Sequence, residues 1–157
     1  MDKFNEFLIN SKELFDKYEI IPLLYGSLGL EILTNHNLGS DDIDILIPEK
    51  YIKEELWLEF KEYLETKGYT LIDEHEHTFT KDNIKFSYAS IENLDEFAGI
   101  KVEDINKYIE NETVYLLLDL PHYLKVYKRS SLDGYRINHK EKQDHKKIEF
   151  IKHMMDM

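Results

Sequence analysis

Gly26-Ser27 and Asp42-Ile43-Asp44 are two short stretches of this chain whose residue types and spacing could do chemistry together. A Gly-Ser turn that opens a helix presents backbone N–H groups and a hydroxyl to phosphate oxygens. Residues at i and i+2 of a strand share a face, so Asp42 and Asp44 converge while Ile43 and Ile45 point into a core. Two carboxylates on one face repel unless a cation lies between them, and Mg²⁺ takes such oxygen ligands at about 2.0–2.1 Å. The two stretches read as the halves of a metal–triphosphate site. Gly26 and Ser27 would hold phosphate, and Asp42 and Asp44 would hold one or two Mg²⁺ ions.

Positioning these residues takes a strand, a turn, a helix and a second strand. Ile20 to Tyr25 is a short apolar run ending in Gly26, Ser27 to Asn35 has helical character, and Asp42 to Ile47 is a strand closed by Pro48. An amphipathic helix precedes them over residues 2–18, with Asp2 as its cap, and another spans Glu49 to Lys67. Tyr69 to Thr80 and Ile84 to Ile91 read as a β-hairpin around Lys81-Asp82-Asn83. Asn93 to Phe97 and Glu103 to Ile109 read as short helices and Val114 to Leu118 as a strand. Asp119 and Pro121 open a helix that ends near Gly134. A last helix starts at Asn138, with Glu141 completing a capping box.

The 157 residues are one domain's worth, and 42% hydrophobic with 33% charged is an ordinary globular composition. No apolar run approaches the roughly 20 residues that span a bilayer, and Met-Asp-Lys-Phe-Asn does not begin a signal peptide. With no cysteine, disulfides, thiolate nucleophiles and Cys-based zinc sites are excluded, and a cytoplasmic location is the expectation. A net charge of −12 opposes nucleic-acid partners, which are held by Lys and Arg displacing counterions. Most of the acid lies before residue 113, whereas Lys125 to Lys152 is rich in Lys, Arg and His. That asymmetry predicts C-terminal helices that form the positive wall of a site whose negative wall is the Asp pair. There is no P-loop, no Gly-x-Ser-x-Gly elbow and no His-Glu-x-x-His helix. His75 and His77 would share a strand face, but no third zinc ligand stands at a telling spacing. Tyr25, Tyr88 and Tyr127 could border a base, although tyrosines more often pack with a polar tip.

With Gly26-Ser27 and then Asp42-Ile43-Asp44 in a strand–turn–helix–strand setting, the chain resembles the nucleotidyltransferase superfamily that includes DNA polymerase β. Its small bacterial branches are the most similar: antibiotic nucleotidyltransferases and the nucleotidyltransferase-like proteins of toxin–antitoxin and abortive-infection systems. The resemblance implies an α/β (α+β) fold, a mixed sheet flanked by helices. The core would span about 1–118 and two C-terminal helices about 119–157 of a single domain. It further implies an NTP substrate, Mg²⁺ as cofactor and an acceptor hydroxyl on a small molecule or protein. Leu120-Pro121-His122-Tyr123-Leu124-Lys125 is similar to a helix that presents a Lys to the triphosphate in such relatives, and Asp144 matches an acid on their next helix. Lys125 would act as a point charge on phosphate, Asp144 would orient it or serve as base, and Arg129, Arg136 and Lys140 are further phosphate contacts.

One position departs from the resemblance. Polymerase-like members carry a third carboxylate on a later strand, and here the matching residue is Ser87. Glu74, Glu76 and Glu92 are the nearby acids, and the sequence selects none of them. Two classes of function therefore stand side by side. One is a metal-dependent transferase moving a nucleoside monophosphate from an NTP to a hydroxyl. The other is a fold that binds nucleotide or a protein partner, antitoxin-like, without catalysis.

Overall fold

The computed structural model describes residues 2–132 and 141–157, with side chains from 144 onward in the second stretch. Helix α1 (Lys3–Tyr18) starts where the Asp2 carboxylate accepts from the Phe4 N–H at 3.0 Å, and stops at Glu19 in a left-handed conformation. Strand β1 (Leu23–Tyr25) passes directly into α2 (Gly26–Thr34), and a loop leads to β2 (Ile43–Ile47). After α3 (Glu54–Thr66) come β3 (Thr70–Asp73), β4 (Thr78–Lys81), β5 (Ile84–Ser90) and the short α4 (Asn93–Ala98). Strands β6 (Asn106–Glu110) and β7 (Thr113–Leu117) precede α5 (Leu120–Ser131) and α6 (Glu141–Met155).

The seven strands form one mixed sheet in the order β3-β4-β5-β2-β1-β7-β6, so the fold is α+β. The central pair β1–β2 is antiparallel, and it is flanked by β7 parallel to β1 and β5 parallel to β2. Alternation along β2 places Ile43, Ile45 and Ile47 in one apolar cluster with Phe7, Phe60, Phe86 and Tyr88. Leu46 joins Leu23, Leu116, Tyr123 and Ile151 on the opposite face. Asp44 shares that second face, as the i, i+2 reading of the strand requires.

Three segments differ from the sequence reading. Residues 69–80 are not one strand: β3 and β4 are separated by a turn over 74–77, where Asp73 Oδ1 accepts from the Glu76 N–H at 3.1 Å. His75 and His77 therefore lie in a turn and do not share a strand face. Glu103 to Ile109 is not a helix: it holds a 3₁₀ turn and edge strand β6, joined to β7 through Asn111 and Glu112, both left-handed. Only Tyr108 and Ile105 of that stretch are shielded, so no apolar alternation marks the strand. Residues 49–52 form a separate 3₁₀ turn before α3. Asp119 caps α5 as expected, accepting from the His122 N–H at 2.8 Å. Gly134, Arg136, Asn138 and Lys140 lie outside the described residues.

Gly29 lets α2 lie against β1 and α5. A Cβ there would collide with the Leu24 carbonyl, which is backbone, and with the Tyr123 hydroxyl. Gly29→Ala should therefore cost about 2–3 kcal/mol by overpacking, read as a lowered urea midpoint.

Candidate functional site

At the end of β1 the chain turns sharply into α2 through Gly26, whose φ is +67°. Tyr25 pairs with Asp44 across the antiparallel ladder, so the turn stands beside the carboxylate. A Cβ on Gly26 would lie 2.6 Å from Asp44 Oδ2, so a side chain there would push the carboxylate aside. The backbone of the helix tip and the acid of the strand thus share one space. From α5, the fully buried Tyr123 reaches back and donates its hydroxyl to the Gly26 carbonyl at 3.0 Å.

The loop that brings the chain to the Asp pair hangs on one carboxylate. Glu31 Oε1 accepts from the Leu38 N–H at 2.9 Å, the Ser40 N–H at 2.9 Å and the Ser40 hydroxyl at 2.5 Å. Burial raises the Glu31 pKa, but these hydrogen bonds outweigh it and hold the carboxyl below its usual range. Neither Tyr123 nor Glu31 stands out from the sequence as a site residue. The signal for Glu31 is a single acid on a short apolar helix, followed by breaker residues that need N–H partners.

A hollow of about 480 Å³ opens between these parts. It is lined by Ser27, Leu38, Gly39, Asp41, Asp42 and Asp44 on one side and by Lys146, Lys147 and Phe150 of α6 on the other. Asp42 is exposed and Asp44 largely shielded. Burial first, and the neighbouring Asp42 carboxylate second, push Asp44 up to about 6. A second hollow, of about 500 Å³, shares Asp44 and holds Tyr25, Glu76, His77 and Ser87.

Gly26, Ser27, Asp42 and Asp44 are thus brought together. The positive wall is Lys146 and Lys147: Lys125 is exposed on α5 and is not among the residues lining either hollow. Asp144 is fully buried in α6, two residues before Lys146. Arg136 lies outside the described residues, and Arg129 covers the Phe97 ring at 5.2 Å. Ser87 sits directly opposite Asp44 in the β2–β5 register, the position where the resemblance implies an acid. Its hydroxyl pairs with Thr78 Oγ1 at 2.8 Å. Of the three alternative acids, Glu92 is engaged with the Glu49 N–H and the Ser90 hydroxyl, and Glu74 with Trp57 Nε1, whereas Glu76 lines the second hollow. Tyr25 and Tyr88 both border the second hollow, although the Tyr88 hydroxyl is turned away and donates to Asn10 at 2.9 Å, while Tyr127 packs in the core.

The donor set suits a hard cation. Two carboxylates fit a Mg²⁺ ion that completes its shell with water and substrate phosphate, and like-charge repulsion within the pair is what such an ion relieves. Among the described residues no group of three or more His, Cys, Asp or Glu side chains could hold a metal on protein ligands alone. No described helix is long and apolar enough to cross a membrane.

Fold and site define an α+β protein with an acidic strand pair and a glycine-led helix tip facing two lysines. Along 151 residues, 96% of each chain, it is 41% identical to a Bacillus subtilis (strain 168) protein described as uncharacterized protein YnaI. The chain belongs to the same family as that Bacillus protein. No protein-family model and no solved structure matches it.

The raised pKa of Asp44 has a stability consequence. The native state holds the Asp44 proton more tightly than the unfolded chain, so stability is lost as pH rises from about 4 through 6. A shift of that size is worth roughly 2–3 kcal/mol at neutral pH. In chelator, Asp44→Asn should therefore melt higher than the unaltered protein at pH 8, with the gain vanishing towards pH 4.

Proposed function

We propose that this chain is a metal-dependent nucleotidyltransferase that moves a nucleoside monophosphate from an NTP to an acceptor hydroxyl. The observation that carries the reading is the closeness of the Gly26 turn to Asp44, which lines one hollow with Ser27, Asp42, Lys146 and Lys147. N–H groups at the tip of α2 and the Ser27 hydroxyl bind the triphosphate oxygens, and the Gly26 turn lets them approach closely. Lys146 and Lys147 offset the remaining phosphate charge as point charges from α6. Asp42 and Asp44 hold Mg²⁺, which when bound neutralises charge developing around the α-phosphorus. Positioning and charge then carry the displacement, as phosphoryl chemistry asks of a protein.

A second reading has its own observation. With Ser87 opposite Asp44, the strand register supplies no third carboxylate, which favours a module that binds NTP and a protein partner without transfer.

At NTP·Mg²⁺ concentrations a hundredfold above Kd, binding should stabilise the fold by about 2.7 kcal/mol, a rise in Tm of several degrees. Asp42→Ala/Asp44→Ala should abolish the rise. Lys146→Ala should weaken binding by about tenfold, ~1.4 kcal/mol. Incubation with α-³²P-labelled NTPs and a cell lysate separates the readings, since labelled acceptor supports transfer and binding without label supports the module. No rise in Tm at millimolar nucleotide overturns both.

A further inference from the structure

The motif in α5 points to Lys125, but the side chain that this helix sends to the Gly26 turn is Tyr123. Tyr123 is fully buried, and its ring stacks on Tyr127 at 6.0 Å with the two planes 16° apart. Gly29, bare of a side chain, leaves the space that the Tyr123 hydroxyl occupies. From there the hydroxyl donates to the Gly26 carbonyl at 3.0 Å, across 97 residues of chain. Burial first, and then the nearby Tyr127, Tyr25 and Asp44, raise the phenol pKa well above its ordinary value, so the group stays a donor at neutral pH.

A trans peptide group is planar, so the Gly26 C=O and the Ser27 N–H point in opposite directions. Holding the carbonyl against α5 therefore aims the Ser27 N–H the other way. Ser27 lines the first hollow together with Asp42, Lys146 and Lys147. Two features leave that N–H free to turn unless something else fixes it. The first N–H groups of a helix have no acceptor within the helix. Gly26, at a φ of +67°, also lacks the Cβ that would restrict rotation of the peptide beside it.

We propose that Tyr123 is a positioning residue for phosphate: its hydroxyl locks the Gly26–Ser27 peptide so that the Ser27 N–H faces the triphosphate oxygens. This rests on the reading of the first hollow as an NTP site. Tyr123 is buried away from the ligand and acts only through that peptide. The contribution of α5 to the site is then a buried hydroxyl, where the motif offers a surface cation.

The test uses the full chain labelled with ¹⁵N, with Mg²⁺ and either inorganic tripolyphosphate or ATP as the probe. Tyr123→Phe keeps the ring and removes the hydroxyl, and it should bind both probes about tenfold more weakly in calorimetry. Tyr69→Phe is the control. Tyr69 is also buried, in the opposite core cluster, and donates to Glu13 at 2.7 Å. Its loss should lower Tm in the same way while leaving both affinities unchanged. In the unaltered protein the Ser27 amide proton should move downfield on saturation with tripolyphosphate·Mg²⁺, and in Tyr123→Phe that movement should be lost. Unweakened binding by Tyr123→Phe, as in Tyr69→Phe, overturns the positioning role. So does a Ser27 amide that stays put in the unaltered protein while tripolyphosphate binds, a result that holds even if Tyr123→Phe does not fold. Binding of neither probe by the unaltered protein overturns the NTP reading and this inference with it.

Discussion

Between the turn at Gly26 and the Asp44 carboxylate a Cβ would fit only if the acid moved, and the rest of the site is arranged around that closeness. A buried carboxylate beside a second one raises the energy of the apo protein. The fold tolerates this because the acids stand on a central strand whose other face is locked into an isoleucine-rich core. Rigid backbone on one side and fixed charge on the other make a preorganised concavity.

Support for that geometry comes from far along the chain. Tyr123 holds the Gly26 carbonyl and stacks on Tyr127 at 6.0 Å, and Lys147 lies over the Tyr127 ring at 5.7 Å. One line of contacts therefore joins the Gly26 turn to the positive wall. Its members act through packing, and Gly29 is what lets the tyrosine pass between β1 and α2.

The central strands, α2 and the convergence of Asp42 and Asp44 on one hollow are legible because each rests on a local pattern: a short apolar run, a glycine turn, an alternation. The segments that differ from the sequence pattern are those where locality fails. Strand β6 is an exposed edge with polar residues on both faces, so period two leaves no trace there. The break at residues 74–77 follows from hydrogen bonds across a turn in a stretch dense with polar residues. The Lys125 expectation rests on a motif. The buried stripe of α5 is Tyr123, Val126, Tyr127 and Ser130, and that choice of face turns Lys125 outward. Which lysines face the acids depends on how α6 docks, a tertiary matter no spacing encodes. The charge asymmetry foretold a positive wall without naming Lys146 or Lys147.

The arrangement at Glu31 bears on how the length of this chain can vary. Both ends of the connection between α2 and β2 are fixed, one by the helix and the other by a carboxylate that gathers Leu38 and Ser40. Asn35, His36 and Asn37 lie exposed between those anchors. Closing a slightly longer or shorter excursion costs little entropy. Descendants of this sequence could thus gain or shed residues there without displacing the acids, which makes the stretch a place for lineages to diverge while the chemistry stays put.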